Sequence, residues 1–292
     1  MCTLCNPVNH VILSELERMV VLAEAEAGLG DTAAHRPLSG PEKASGVRFS
    51  EIAALEEDYL ATVAPILERL REVVGEEITA ALAGITTGAA LVDALEALTV
   101  GQPARVTEAV AQATLSVSEA LAATYTGASE TVIREAERQG VTRLPEPREA
   151  DPERFRAVAK TASLEPWKRA LTVVQDRVAS PSVLASPVLD QDLLPMALAD
   201  IDGAGALDQA RQAAHGAINT GRFDTAEQLP FESAWSSEIL DSSTCSNCRD
   251  EDQKEYATLD EVRAAYPNGG GFRDCLGGSR CRGTAVFVYS RS

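Results

Sequence analysis

The chain has 292 residues, 45 % of them hydrophobic and 24 % charged, with a formal net charge of −18. That length suits about two ordinary domains, and the composition excludes wholesale disorder and a coiled-coil rod. The acid excess excludes a uniform basic cradle for nucleic acid and leaves only a local patch for such a role.

No apolar run reaches the roughly 18–20 residues of a bilayer span, so no membrane partner is expected. The opening MCTLCNPVNH carries neither a basic stretch nor an apolar core, so no secretory signal is expected either. In the reducing cytosol this implies, paired cysteines point to metal or redox chemistry more than to structural disulfides. Eight of the 13 aromatic residues lie between Phe223 and Tyr289. A long Ala-rich part is therefore followed by a short part of different character.

Residues 9–30 read as a helix capped by Asn9 and stopped by Gly28 and Gly30, and 31–47 read as a loop. A longer helix is expected from about Phe49, with Ile52, Tyr59, Val63 and Leu70 on one face and Pro65 kinking or splitting it. A Gly/Thr-rich break at 84–89 precedes a short helix around Leu91–Leu98. Pro103 opens the next helix, in which Val106, Val110, Ala113, Val117 and Leu121 step by four or three residues toward a stop at Gly140. Residues 141–152 read as a linker, with Asp151-Pro152 as a helix opening. Ser163, Glu165 and Pro166 read as another opening, for a helix with Trp167, Leu171, Val174 and Val178 on one face. Residues 180–190 read as loop, and Leu207, Ala210, Ala214 and Ile218 as a last helix ending near Gly221. The expected class is mainly α, with a helical region over 1–140, a second helical part over 141–222 and a small α+β module over 223–292.

Catalytic signatures are missing from the helical part. There is no GxxxxGK[ST] phosphate loop, GxSxG elbow or HExxH zinc helix. The histidines are His10, His35 and His215, and the last sits in a helical pattern with no nucleophile beside it. Acid pairs such as Glu56-Glu57 and Glu76-Glu77 read as solvated helix faces.

The chemistry lies at the cysteines: Cys2, Cys5, Cys245, Cys248, Cys275 and Cys281. A strand over Ala234–Leu240 and a turn at Asp241–Ser243 lead to the CxxC knuckle of Cys245 and Cys248. That spacing lets two thiolates reach one tetrahedral ion. A short helix over Leu259–Tyr266, capped by Thr258, and a turn at Pro267–Gly271 precede Cys275 and Cys281, and Thr284–Tyr289 is a closing strand. Four thiolates on Zn²⁺ leave a formal charge of about −2, which cations stabilise. Arg249, Arg280 and Arg282 adjoin the cysteines in an otherwise acidic chain. A module with so few core residues also gains from a staple. The expected ligands of a structural Zn²⁺ are Cys245, Cys248, Cys275 and Cys281; reduced buried thiols and disulfides are the alternatives. Cys2, Cys5 and His10 resemble half a metal site, or else belong to a free terminus.

The same segment resembles the C-terminal part of MuF-like phage head-morphogenesis proteins, the minor capsid proteins. The resemblance rests on Trp235, Ile239-Leu240-Asp241, Thr244-Cys245, Cys248, Tyr256, Pro267, Gly270-Gly271-Phe272, Asp274-Cys275 and Cys281-Arg282-Gly283. It is densest over about 55 residues and is most like the versions from tailed phages of actinobacteria. Many relatives end in a His-Pro-x-Cys-Arg-Cys segment; Cys275 stands where their His stands, which implies an all-cysteine site here. The resemblance implies a low-copy virion protein inside the capsid near the portal, assembled in the host cytoplasm and structural rather than catalytic. The implied partner is the portal protein, with the scaffold or major capsid protein and DNA as further candidates. Two other functions stay open: fusion to a maturation protease or toxin domain, and a zinc-stabilised DNA-binding module. Against the second, residues 223–292 hold 12 acids and 7 bases, a poor balance for phosphate contact.

Overall fold

The computed structural model describes residues 39–178, 183, 204–238, 244–267, 270–276 and 283–290. The helix expected over 9–30 and most of the loop expected over 180–190 lie outside these residues, as do the turn at Asp241–Ser243 and Cys2, Cys5, His10 and Cys281. Described are α1 (Gly40–Ser45), α2 (Phe49–Leu82), α3 (Gly88–Val100), α4 (Ala104–Arg138), a 3₁₀ turn at Pro152–Phe155, α5 (Arg156–Val178) and α6 (Ala204–Ala226). Then follow β1 (Phe231–Ser237), α7 (Ser246–Glu251), β2 (Glu255–Tyr256), α8 (Leu259–Ala265) and β3 (Thr284–Tyr289). The chain is mainly helical with a small sheet near its C-terminal end, as the composition shift implies.

Helix α4 is central and packs against α2, α5 and α6. Its buried row of Val106, Val110, Val117, Leu121, Tyr125 and Val132 follows the four-and-three spacing of the sequence. Near the start of α4, Val106 and Val110 join Val74, Ile78, Leu95, Trp167 and Val174. Midway, Leu121 and Tyr125 meet Tyr59, Val63, Phe155 and Ala214. At its far end Val132 and Ala136 join Phe223 and, from the sheet module, Ala234, Tyr256, Val262, Tyr266 and Phe287. Each large side chain buried in this way contributes about 1.5–3 kcal/mol. The last cluster runs continuously from the helices into the module, with Phe223 edge-on to Phe287 at 6.0 Å between centroids.

The sheet is antiparallel in the order β2-β1-β3, with Trp235 opposite Val286 and Ala234 opposite both Phe287 and Tyr256. The two-residue β2 is too short to show a pattern in sequence. Thr258 caps α8 through a capping box with Glu261, and β3 spans Thr284–Tyr289, both as expected.

The first strand starts three residues earlier than expected and ends at Ser237, spanning Phe231–Ser237 rather than Ala234–Leu240. Four expectations about the helices also change. Residues 40–45 are helical rather than loop, because Ser39 and Glu42 close a capping box: the Glu42 amide donates to Ser39 Oγ (3.3 Å) and the Ser39 amide to Glu42 Oε2 (2.6 Å). Pro65 does not split α2, which runs unbroken for 34 residues. Pro65 and Ala61 are both exposed, so the Ala61 carbonyl that lacks a donor faces water. No new helix opens at Ser163; α5 continues through Pro166, because buried Phe155, Ala159 and Ala162 before it and Trp167, Ala170 and Val174 after it share one core-facing row. Gly221 does not end α6. A side chain there would collide with the Tyr125 carbonyl and crowd the Ala128 Cβ (3.2 Å), so glycine lets α6 press onto α4.

The segment at 141–152 is extended, yet fastened. Val141 is buried, the Arg148 amide donates to Ser129 Oγ (2.8 Å) and the Arg148 guanidinium to the Asp224 carbonyl (3.0 Å). The Asp224 carboxylate accepts from Tyr125 Oη (2.9 Å) and pairs with Arg154 (2.8 Å) and Arg263 (3.4 Å). One aspartate thereby ties α4, the 3₁₀ turn and α8 to the end of α6.

Candidate metal centre

Cys245 stands at the N-cap of α7 in extended backbone, and Cys248 lies one turn inside that helix. Cys275 comes from the loop after α8. That loop is held at three points: the Arg273 amide donates to the Ala265 carbonyl (2.8 Å), the Cys275 amide to the Phe272 carbonyl (2.9 Å), and Asn247 Nδ2 to the Asp274 carbonyl (2.7 Å). Phe272 is buried against Tyr266, with ring centroids 6.2 Å apart. The loop is thus anchored by backbone bonds and one aromatic side chain, and it presents Cys275 to the knuckle.

The three sulfurs all lie within 4.8 Å of one another, with Cys245 Sγ and Cys275 Sγ 4.0 Å apart. Zn–S bonds of about 2.3 Å in a tetrahedron put sulfurs about 3.8 Å apart. These three cysteines could hold a metal ion with only small side-chain adjustment. Cys248 is buried, while Cys245 and Cys275 are half-buried. Burial pushes the Cys245 thiol up, but the backbone amides of Cys248 and Leu276 and the thiols of Cys248 and Cys275 outweigh it and hold the group down at about 7. A thiolate is the metal-binding form. Of the four expected ligands, the structure brings Cys245, Cys248 and Cys275 together; Cys281, Arg280 and Arg282 lie outside the described residues.

Glu238, directly after β1, is the neighbour that the sequence does not reveal. It is buried, accepts from Tyr266 Oη (2.8 Å) and from the Cys248 thiol, and its amide donates to Asp252 Oδ1 (2.9 Å). Burial raises its carboxyl to about 7 against the pull of those two donors, with Asp252 and Glu251 adding to the rise. Gly283 packs directly against the Glu238 carboxylate, which a side chain at that position would displace. Glu238 therefore links the knuckle, α8 and the chain just before β3.

That last stretch is clamped to α6 by three polar side chains at four- and three-residue spacing. His215 Nε2 lies 2.8 Å from the Gly283 carbonyl, Asn219 Nδ2 donates to the same oxygen (3.1 Å), and Thr284 Oγ1 donates to Asn219 Oδ1 (2.6 Å). Arg222 Nη2 donates to the Ala285 carbonyl (3.1 Å). His215 is buried and engaged in this clamp, as a hydrogen-bonded helix residue. The row 215/219/222 could have been found as polar residues recurring at helical spacing beside the apolar row of Leu207, Ala210, Ala214 and Ile218. Its partners are backbone carbonyls about 65 residues away, which no local pattern announces.

Among the described residues no helix is long and apolar enough to cross a membrane. No protein-family model, curated protein or solved structure matches the chain.

Proposed function

We propose that this chain is a structural, MuF-like phage minor capsid protein, acting beside the portal during head assembly, whose C-terminal module is stapled by one Zn²⁺ on Cys245, Cys248, Cys275 and Cys281. The observation that carries the reading is the convergence of Cys245, Cys248 and Cys275 within one small module. The residues of the resemblance frame that cluster: Trp235 lies in β1, Tyr256 in β2, and Phe272 anchors the loop that presents Cys275. An all-thiolate donor set suits Zn²⁺ over harder ions. Cys281 supplies the fourth thiolate in this reading. The long helical body supplies docking surface toward the portal, with the scaffold or major capsid protein as secondary contacts. Its place is the capsid interior, after assembly in the host cytoplasm.

Three measurements test the proposal. Elemental analysis of reduced, freshly purified protein should give about one zinc per chain, and no stoichiometric metal would overturn the zinc assignment. Co-expression with the portal protein of the same phage should give a complex that survives purification. Normal infectious yields from a clean deletion of the gene would overturn the head-assembly role.

A further inference from the structure

Metal-binding geometry leaves one pair of cysteines placed for a second reaction. Cys245 and Cys275 face each other at 4.0 Å between sulfurs, both half-buried, and they come from segments 30 residues apart. Cys248 differs from both. It is 3 % exposed, and its thiol donates to Glu238. An oxidant arriving from solvent therefore reaches Cys245 or Cys275 before it reaches Cys248, and the other half-buried sulfur is 4.0 Å away. Disulfide formation needs the sulfurs at about 2.05 Å. The remaining gap of about 2 Å is within reach of a side-chain rotation at Cys245, which sits in extended backbone at the N-cap and not inside a helical turn.

We propose that Cys245 and Cys275 are a thiol–disulfide exchange site: once the metal is withdrawn, a small disulfide such as oxidised glutathione converts them to an intramolecular disulfide. This staple would tie the same two segments that the metal ties. The thiolate of Cys245 attacks one sulfur of oxidised glutathione, forming a mixed disulfide and releasing one glutathione thiolate. The thiol of Cys275 then loses its proton to solvent and attacks Cys245 Sγ, forming the Cys245–Cys275 bond and releasing the second glutathione. Two protein thiols are oxidised and one glutathione disulfide is reduced to two thiols, so electrons and protons balance. The proposal deepens the metal reading above and rests on it for the order of events: metal in a reducing compartment, disulfide where the metal is lost and the surroundings oxidise.

The test uses the full chain in three states: zinc-loaded, stripped with a chelator, and stripped in the Cys248→Ser variant. Each is exposed to oxidised glutathione, quenched with an alkylating agent and mapped by peptide mass under non-reducing conditions. Stripped protein should lose two free thiols per chain and yield a cross-link between the peptides carrying Cys245 and Cys275. The cross-link should persist in Cys248→Ser, which removes the competing knuckle pair. Zinc-loaded protein should keep its thiols over the same time. Cross-links of Cys245 to Cys248 or to Cys281, or stable glutathione adducts, would overturn the exchange site even with zinc present. A Cys245–Cys275 cross-link in protein that never carried zinc would support the pairing and overturn the metal reading.

Discussion

Arg222 of α6 and Glu135 of α4 form a two-pronged ion pair, with Nη1–Oε1 at 2.6 Å and Nη2–Oε2 at 3.0 Å, and neither side chain is more than 1 % exposed to solvent. Arg222 does more than neutralise Glu135. It also donates to Thr131 Oγ1 (3.2 Å) and to the Ala285 carbonyl of β3, and its guanidinium lies 5.5 Å from the centre of the Phe287 ring. The pair is the point where the two central helices and the sheet meet. A buried ion pair is weak evidence for net stability, because desolvation offsets most of the attraction. What it supplies here is direction: β3 is held against α6 by a donor that fits its backbone.

Removing one partner should therefore be far worse than removing both. Arg222→Met leaves the Glu135 carboxylate buried with no counter-charge and should cost about 3–5 kcal/mol. The double variant Arg222→Met with Glu135→Leu should recover most of that loss. Urea unfolding followed by circular dichroism reads both values. Additive destabilisation in the double variant would show that the two side chains are not coupled.

Two glycines in long helices should respond to alanine in opposite ways. At Gly75 in α2 an added methyl meets nothing within 4 Å, so Gly75→Ala should stabilise by about 0.5–1 kcal/mol through helix propensity alone. At Gly221 the same methyl drives into the Tyr125 carbonyl. Gly221→Ala should destabilise by about 1–3 kcal/mol despite the better propensity, because α6 must move off α4. Thermal melts of the two variants against wild type give the comparison; a stabilised Gly221→Ala would refute the close approach.

These glycines also show where sequence reasoning stops. Pro103, Gly140, Thr258 and the 284–289 strand act within a few residues of themselves, so their local patterns are enough to place α4, its end, α8 and β3. The CxxC knuckle is local as well, and its reach to Cys275 follows from a module too small to separate them. Gly221 reads as a stop because the Tyr125 backbone that makes it necessary is far away in sequence. Pro166 reads as an opening because the rows on either side of it join only in the packed core. Arg222 and Glu135 lie 87 residues apart, and each looks like an ordinary charge in an amphipathic helix. Glu238 was hidden for the same reason: nothing beside it in sequence says that a carboxylate is buried against a thiol.

Limited proteolysis under native conditions should cut within 142–149, where the backbone is extended and mostly exposed. The two fragments should stay together after the cut. Helix α4 ends before the segment and is packed against α5 and α6, which follow it. Size-exclusion chromatography of nicked protein should give a single peak containing both pieces. Cuts within α4 instead would mean that its packing is looser than the buried row from Val106 to Val132 requires.

The cysteine cluster should control a smaller region than the sequence pattern suggests. From sequence alone, losing the staple would unfold everything from about 234 to 290. In the structure β1 and β3 have their own support: they pair over six registered positions, and β3 and the residue before it are held to α6 by His215, Asn219 and Arg222. The segment from 244 to 276 buries Tyr256, Val262 and Tyr266 in the shared core and pairs with β1 over two residues only. Its helices α7 and α8, of six and seven residues, are too short to be stable alone, and the rest is the loop that carries Cys275. Binding energy at a metal site becomes folding energy for whatever cannot fold without it. Cys245→Ser should therefore raise hydrogen exchange across 244–276 by orders of magnitude while β1 and β3 stay protected and far-UV circular dichroism barely changes. Cys2→Ser is the control and should leave metal content and exchange as they are. Loss of protection in β1 and β3 together with 244–276 would mean that the clamp on α6 cannot hold the sheet without the cysteine site. Equal metal loss from Cys245→Ser and Cys2→Ser would place the N-terminal cysteines in the same site.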